Sequence, residues 1–174
     1  DTDMLAANAV SSAKLASGAG GKFKSYAIIC DQKANTTVGG VFTYGAWRTR
    51  DLNTELTDED GIVSISSNQF TLQAGSYLIE AQAPAYKINR HQITLYQTSG
   101  TQAHIAYGTN EFASLSYDGV TSSHLKTRVT IGSATTYEIR HYSQSSSSST
   151  SGFGLAMSFG NVEIYTIVTI FKEV

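Results

Sequence analysis

Residues 69–96 read QFTLQAGSYLIEAQAPAYKINRHQITLY, and apolar residues alternate with polar ones along two parts of this stretch. In the first part Tyr77, Ile79 and Ala81 fall on one side of an extended chain, with polar residues on the other. A period of two is the pattern of a strand with one buried face. The polar break at 87–90 leads into a second alternation, so the stretch predicts an antiparallel pair within one sheet.

The same pattern continues on both sides of this stretch. Turns rich in Gly, Asn, Asp and Ser join the apolar segments, with no convincing helical stretch between them. This combination predicts an all-β protein, an antiparallel jelly-roll sandwich. The segments 48–61 and 143–160 are expected to be loops, and the other strands are expected at 23–30, 38–47, 62–66, 70–73, 103–107, 124–131, 136–142 and 162–172.

The bulk properties exclude several classes of partner. The chain has 174 residues, 15% of them charged, and a formal net charge of -2. That length fits one domain, and a nearly neutral surface gives no field that would attract nucleic acid or an anionic membrane. No apolar run reaches the roughly 20 residues of a membrane span, so membrane insertion is not expected. A neutral polar surface suits sugars or protein partners.

Three local features predict structural roles. Cys30 is the single cysteine, which excludes an intramolecular disulfide, and its apolar neighbours predict a buried position. Pro84 falls inside the first strand of the opening stretch, where proline is tolerated at an edge or a bulge. Arg48 and Arg50 flank Trp47, and we assign both to structure or to a subunit contact.

The N-terminal segment differs from the rest in composition. It is rich in alanine without an apolar stripe at helical spacing, and the GAGG cluster at 18–21 separates it from the first strand. We therefore divide the chain into a stalk end or linker at 1–21 and a jelly-roll head at 22–174.

Catalytic and metal-binding motifs are missing from the sequence. It has no nucleophile elbow, phosphate-binding glycine loop or dinucleotide fingerprint, and its four histidines have no fixed-spacing partner. The acidic segment 51–61 fails as a calcium loop, because Leu56 and Ile62 stand where glycine and glutamate are needed. The possible catalytic carboxylates are expected to face solvent, and they are Glu80, Glu111, Asp118, Glu138 and Glu163. We expect no enzyme activity, metal or cofactor.

The last strand, VEIYTIVTIFK, is apolar on both faces. Val162, Ile164, Val168 and Ile170 lie on one face by simple alternation, and Tyr165, Ile167 and Phe171 lie on the other. One face belongs to the core, and a second copy of the chain is the simplest cover for the other. Cover by the chain's own loops is the alternative.

Aromatic residues in loop segments are the candidate ligand-binding group. A flat ring beside hydrogen-bonding side chains suits a sugar, and such a mixture occurs in YGTNEFASLSYDG. The alternative is that these rings cap the ends of the sandwich or a subunit contact. The candidates are Tyr107, Asn110, Phe112, Tyr117 and Asp118, together with Phe153 from the other loop.

Two parts of the sequence resemble bacteriophage tail fibres. NAVSSAKLASGA at 8–19 resembles the connecting repeats of fibre shafts. The head, through AWRTR at 46–50 and AGSYLIEA at 74–81, is similar to fibre heads whose domain looks like the jelly roll of the complement globular head and tumour necrosis factor. The absence of a Gly-x-y collagen repeat favours the phage branch.

The resemblance implies a ten-strand jelly roll, a homotrimer and a binding role without catalysis. It places the interface on the doubly apolar last strand, at Tyr165, Ile167 and Phe171, with Trp47 beside it. The function expected on this basis is adhesion of a virion, at the distal end of its tail fibre, to a host surface polysaccharide or lipopolysaccharide. The alternatives are a capsid-decorating head fibre, a polysaccharide-degrading fibre tip and a microbial signalling or matrix protein.

Overall fold

The structure, a computed structural model, describes residues 21–146 and 150–174. This part of the chain contains twelve β-strands and no helix, and so no helix that could cross a membrane. The strands form two antiparallel sheets that enclose one main apolar core. The predicted all-β antiparallel sandwich is confirmed. The stalk predicted at 1–21 lies outside the described residues except for Gly21.

Ten of the strands build the sandwich, and two short ones, β2 and β9, are added at its side. The strands are β1 (Phe23–Lys33), β2 (Arg48–Thr49), β3 (Thr54–Thr57), β4 (Val63–Ser66), β5 (Gln69–Leu72), β6 (Gly75–Tyr86), β7 (Asn89–Gln97), β8 (Ala103–Tyr107), β9 (Glu111–Ala113), β10 (Val120–Ile131), β11 (Thr135–Ser143) and β12 (Glu163–Glu173). The five-stranded sheet has the order β10-β6-β12-β1-β3. The seven-stranded sheet has the order β4-β5-β11-β7-β8, with β2 on β11 and β9 on β7.

Strand alternation supplies the core from both sheets. In β6 the odd-numbered residues Tyr77, Ile79, Ala81 and Ala83 are buried, as the sequence predicts. Because the side chains of a strand alternate between faces, the even-numbered residues of β6 lie on the outer face of the five-stranded sheet. Each sheet therefore presents an outer face, turned away from the other sheet, on which a partner or ligand can bind.

The expected pairing of β6 with β7 is wrong. β6 pairs with β10 and β12, whereas β7 pairs with β8, β9 and β11 in the other sheet. Lys87 and Asn89 have positive φ angles of 51° and 60°, and Ile88 between them is fully buried. This tight corner carries the chain across the sandwich instead of folding it back within one sheet.

The segment between β1 and β4 also differs from the expectation. Residues 38–47 form no strand, because Phe42 turns inward and packs against His141 and Phe153 at ring-centroid distances of 4.8 and 4.5 Å. Gly39 lies so close to Phe153 that a Cβ would come within 2.7 Å of its backbone. The segment 48–61, expected to be a loop, contains β2 and β3. Asp58 ends it by accepting the backbone N–H groups of Ile62 and Val63 at 2.8 and 2.9 Å.

A β-bulge changes the two faces of the last strand. Between Cys30 and Gln32, β1 advances by two residues while its partner β12 advances by three. This extra residue shifts the alternation of buried and exposed side chains in β12 by one position. Val168 and Ile170 are buried as expected, but Ile164 is 42% exposed and Tyr165 is buried. The expected grouping of Ile164 with Val168 and Ile170 is therefore wrong.

Pro84 and Arg50 together close a gap in the five-stranded sheet. Pro84 pairs with Ser122 on one side, but the pairing of β6 with β12 on the other side extends only to Gln82. Arg50 occupies that side and donates to the Pro84 carbonyl at 3.3 Å, to Thr166 Oγ1 at 2.8 Å and to the Phe153 carbonyl at 2.7 Å. The proline ring thus sits where no ladder hydrogen bond is lost, as the sequence predicts.

Burial also fixes the roles of the other two predicted structural residues. Cys30 is fully buried, as expected, and burial raises the pKa of its thiol. Arg50 is fully buried too, and this burial, opposed by Asp31 and Asp51, lowers the pKa of its guanidinium to about 10. Arg50 therefore stays charged at neutral pH.

The two ends of the sandwich have different roles in the chain path. β1 begins and β12 finishes at one end, where the Val174 N–H donates to the Lys22 carbonyl at 3.0 Å. The connections that follow β1, β6, β9 and β11 lie at the opposite end, because the antiparallel register places Tyr86 beside Val120 there. We call this opposite end the distal end.

Replacing Arg50 tests its structural role. Arg50→Lys removes the fork that reaches three acceptors and leaves at least two buried oxygens without a donor, so the free energy of unfolding should fall by about 3 kcal/mol or more. Urea unfolding followed by tryptophan fluorescence measures this change. Arg128→Lys, at an exposed arginine paired with Glu173, is the matched control and should change stability far less than Arg50→Lys does, because solvent screens an exposed ion pair. Equal effects of the two substitutions would refute the role.

Candidate functional site

An aromatic group covers part of the outer face of the seven-stranded sheet. The Trp47 ring lies 4.9 Å from His104, 5.9 Å from Tyr107 and 5.4 Å from Tyr142, measured between centroids. Tyr96 also lies 4.9 Å from His104. We call these five residues the aromatic face.

Strand register explains why these residues meet. Tyr107 of β8 lies opposite Thr94 of β7, and His104 of β8 lies opposite Tyr96. Neighbouring residues across a ladder share one face of the sheet, so β7 and β8 place their rings together. Tyr107 is 56% exposed and offers its ring to solvent.

Charged groups on the same face are arranged around Tyr96. The Arg140 guanidinium lies 3.4 Å from the centroid of the Tyr96 ring and pairs with Glu138. Gln69 Nε2 also donates to the Glu138 carboxylate, at 3.2 Å. Burial, and then the charge of Arg140, lower the pKa of His104. His104 is therefore neutral at pH 7 and acts as a flat ring in the aromatic face.

A pocket of about 860 Å³ adjoins the aromatic face near the distal end. Arg90 and Gln92 of the central strand β7 form its floor, with Phe112 of β9 opposite Arg90 on one side. Tyr142 of β11 lies opposite Gln92 on the other side and belongs to both the pocket and the aromatic face. Tyr44, 58% exposed, completes the ring lining. We call this cavity the Arg90 pocket.

The pocket reaches the interior through a buried histidine pair. His91 and Ser143 line the pocket, and His91 Nδ1 lies 2.9 Å from His141 Nε2. The other nitrogen of His91 lies 2.8 Å from Thr121 Oγ1. Among the described residues, His141 Nδ1 and Ser143 Oγ are buried without a hydrogen-bond partner. Burying a polar atom without a hydrogen-bond partner costs free energy, so these two atoms destabilise the interior locally.

The histidine pair is neutral in the folded protein. Burial lowers the pKa of His91 to about 4, with the carboxylate of Glu111 opposing the shift and Arg50 adding to it. Burial, Arg50 and His91 all lower the pKa of His141 well below its usual value. Two uncharged rings can share one hydrogen bond here, whereas a proton on either would face the positive charge of Arg50.

The six predicted ligand-binding residues fall in three places. Tyr107 belongs to the aromatic face, and Asn110 and Phe112 line the Arg90 pocket, so the structure brings these three to one side of the molecule. Tyr117 is 77% exposed in the connection between β9 and β10. Asp118, in the same connection, accepts hydrogen bonds from Tyr86 Oη and Lys87 Nζ, both at 2.6 Å, and these contacts lower its pKa.

Phe153, the last of the six, is partly buried and packs against other side chains of the chain. The Arg50 guanidinium carbon lies 4.2 Å from its ring centroid, and Phe42 and His141 lie 4.5 and 6.4 Å away. Its ring therefore packs on these side chains at the distal end while part of it stays exposed. The sequence around Phe153, a glycine-rich segment with one aromatic residue, does not distinguish a packing role from a ligand-binding role.

Several residues of the site were not predicted as ligand-binding, among them Tyr44, Arg90, His104 and Tyr142. Tyr142 could have been predicted from the alternation in β11, because an inward-facing His141 places the next residue, Tyr142, on the outer face. The position of the others in the site depends on which strands pair with each other, and the sequence of a single strand carries no information about its partners.

The residues assigned to a subunit interface do not share one surface. Trp47 lies on the outer face of the seven-stranded sheet, and Tyr165 is only 5% exposed, with its hydroxyl donating to the Thr37 carbonyl at 2.7 Å. Tyr165 therefore cannot meet a partner, because the bulge turns it inward. Ile167 and Phe171 lie on the outer face of the five-stranded sheet.

Apolar residues surround Phe171 on that face. Its ring lies 5.2 Å from Phe23 and 6.5 Å from Tyr26, and Leu78 is its neighbour in β6. Phe23 and Tyr26 are 39% and 52% exposed. We call this group, with Ile28, the Phe171 patch.

The carboxylates considered for catalysis have structural partners. Glu163 is buried, against expectation, and accepts the backbone N–H groups of Met157, Ser158 and Thr36 at 3.0, 2.9 and 3.2 Å. These bonds lower its pKa and fix the connection that precedes β12. Glu138 is buried as well and pairs with Arg140. Residues 21–146 and 150–174 contain no cluster of three or more His, Cys, Asp or Glu that could hold a metal ion.

With this architecture, the chain can be compared with known proteins. No protein-family model and no curated protein matches its sequence. The zebrafish complement 1qA globular domain superimposes with a TM-score of 0.55 at 16% identity, over 86% of this chain and 96% of that one. The fold is a C1q/TNF-like jelly roll.

A second structure has the same jelly roll. Murine APRIL superimposes with a TM-score of 0.52 at 8% identity for the pH 8.0 structure, over 84% of this chain and 98% of APRIL. Its structure at pH 5.0 gives 0.55 at 5% identity over the same shares. At such low identity the likeness establishes the fold and assigns no residue of the site.

The histidine pair predicts a loss of stability in acid. The unfolded chain binds protons at these histidines near pH 6.5, whereas folded His91 binds one only near pH 4, so the unfolded state gains protons first as the pH falls. The free energy of unfolding should therefore drop by roughly 2–4 kcal/mol between pH 7 and pH 4. Urea unfolding at several pH values measures this slope.

A matched pair of variants assigns the slope. His91→Gln keeps a hydrogen-bonding side chain that does not titrate, so it should remove most of the loss of stability attributable to His91. His124→Gln replaces an exposed histidine and should leave the slope unchanged. An unaltered slope in His91→Gln would show that other groups cause the acid sensitivity.

Proposed function

We propose that this chain is the receptor-binding head of a bacteriophage tail fibre and that it adheres to a polysaccharide on the host cell surface. It acts as a binding protein without catalysis, at the distal end of the fibre in the virion. The resemblance of the sequence to fibre shafts and heads supports the phage origin. The single observation that carries the binding role is the aromatic face continuing into the Arg90 pocket.

The chemistry of this surface fits a sugar. Rings with exposed flat faces pack against the C–H groups of a sugar, and amide and guanidinium groups bind its hydroxyl groups. Tyr107, Tyr142 and Phe112 supply exposed rings, and Gln92 and Asn110 supply amides. Gln92 Nε2 donates to the Gly108 carbonyl at 2.8 Å, which fixes the orientation of its amide.

The position of the pocket supports a role at a fibre tip. Arg90, Phe112 and Tyr44 lie toward the distal end, and β1 begins at the other end. A shaft joined ahead of β1 would leave the pocket turned toward a cell surface.

The Phe171 patch supports assembly into a trimer. Exposed aromatic and aliphatic side chains on one sheet face gain free energy when a second copy covers them. Three heads on one fibre then give three identical pockets. Weak single contacts become firm attachment, because the first contact raises the effective concentration of the remaining two sites.

Two substitutions of matched chemistry test the interface. Phe171→Arg should give monomers, because it places a charge where two apolar surfaces meet. Trp47→Arg, on the opposite sheet, should leave the trimer intact. Mass in solution, measured by light scattering, separates these outcomes. A trimer in Phe171→Arg would move the interface elsewhere, and a monomeric unaltered head would argue against the assembly.

The binding function is tested with purified, fluorescently labelled head on a panel of bacterial strains. The head should stain some strains and lose that staining when surface polysaccharide is removed. Tyr107→Ala and Phe112→Ala should each weaken staining by about tenfold, since stacking on one ring contributes on the order of 1 kcal/mol or more.

Phe159→Ala is the control for these variants. Phe159 is 82% exposed and lies in the connection between β11 and β12, outside the aromatic face and the Arg90 pocket. Its replacement should leave staining unchanged. If Phe159→Ala abolishes staining while Tyr107→Ala and Phe112→Ala do not, the distal connections bind the receptor instead. A head that stains no strain would overturn the function.

A further inference from the structure

The guanidinium of Arg90 is unmatched in charge. Arg90 is exposed, and within the described residues its side chain has neither an ion-pair nor a hydrogen-bond partner. Glu111 lines the same pocket without forming an ion pair with it, and its carboxylate accepts a hydrogen bond from Thr109 Oγ1 at 2.9 Å. By contrast, Arg140 on the same sheet face is paired with Glu138. The Arg90 guanidinium is therefore free to pair with an anionic ligand in the pocket.

Aromatic rings stand on both sides of this charge. Phe112 lies directly opposite Arg90 in the β7–β9 ladder, and Tyr142 lies on β11, beyond β7. Two strand spacings separate β9 from β11, which is about 9.6 Å. A groove of that width between two ring-bearing strands accommodates one pyranose ring lying along β7. Gln92, two residues from Arg90 and on the same face, is placed to bind a hydroxyl group of that ring.

These features match one class of ligand. A guanidinium binds a carboxylate through two parallel hydrogen bonds, a geometry that a hydroxyl group cannot reproduce. The flanking rings exclude water from one side of such a pair, which strengthens it. A neutral sugar would leave the Arg90 charge unused, whereas a sugar acid would satisfy it and still stack on the rings.

We infer that the Arg90 pocket binds an acidic sugar residue, with its carboxylate on Arg90 and its ring between Phe112 and Tyr142. This inference rests on the proposed function and specifies the receptor as a polysaccharide that contains uronic acids or other carboxylated sugars.

The test uses surface polysaccharide purified from a strain that the unaltered head stains. The native polysaccharide should compete with staining. The same material with its carboxyl groups reduced to alcohols should compete at least about tenfold less well, because the charge-assisted hydrogen bonds are lost. Material dephosphorylated with hydrofluoric acid should compete as well as the native polysaccharide.

Two variants connect the result to this pocket. Arg90→Gln should weaken binding of the native polysaccharide at least about tenfold and should make binding insensitive to carboxyl reduction. Lys24→Gln removes the same charge from an exposed position on β1, at the end of the sandwich away from the pocket, and should bind like the unaltered head. Both variants should retain the mass of the unaltered head.

The outcomes separate this inference from the proposed function. Staining that survives carboxyl reduction, or Arg90→Gln that binds like Lys24→Gln, overturns the acidic-sugar site while leaving the adhesive function intact. Loss of competition after dephosphorylation, but not after carboxyl reduction, would mean a phosphate ligand and also overturn it. An unaltered head that stains no strain removes the proposed function, and the inference with it.

Discussion

Burial of the Arg50 guanidinium is the constraint on which the distal end of the sandwich depends. A charge with no exposed surface is tolerated because three oxygens, on Thr166, Pro84 and Phe153, accept its hydrogen bonds and because Asp31 and Asp51 lie nearby. The three acceptors come from β12, β6 and the connection between β11 and β12. One side chain therefore joins three parts of the chain that backbone pairing alone leaves apart, at the point where proline and a bulge interrupt the sheet.

The same side chain supports the binding site from below. The Arg50 guanidinium packs on the Phe153 ring, Phe153 packs on Phe42, and Phe42 packs on His141. His141 shares a hydrogen bond with His91, whose neighbour in the chain is Arg90 of the pocket floor. Burial, with a smaller contribution from the charge of Arg50, lowers the pKa of both imidazoles and keeps them neutral, so a proton added to the polar interior under the pocket would destabilise the fold.

Alternation in the sequence was enough to predict the class of fold, and it failed where strand partners had to be known. The prediction of the inward residues of β6 was correct, because a period of two determines which side chains share a face. The prediction that β6 pairs with β7 was wrong, because the corner at Lys87 to Asn89 carries the chain into the other sheet. Tyr165 was misplaced because a bulge shifts the alternation and leaves no mark in the sequence. In the candidate site, Tyr107, Asn110 and Phe112 were predicted from local composition, and the structure brings them to one side of the molecule. Arg90 and Tyr142 were missed because they meet only through the β7–β9 and β7–β11 ladders.

The two outer faces of the sandwich differ in the way that the proposed assembly and the proposed recognition would require. The Phe171 patch includes side chains without polar atoms, those of Phe171, Phe23 and Leu78. Contact with a second copy of the chain would be more favourable for them than contact with water. On the opposite sheet, Tyr107 and Tyr142 combine a flat ring with a hydroxyl group, and Arg90 keeps a hydrated charge. Such a surface stays soluble when empty and still favours a ligand that replaces its water with matching hydrogen bonds. Because the faces are on different sheets, covering one would leave the other open, so the proposed assembly and the proposed binding would use separate surfaces of one small domain.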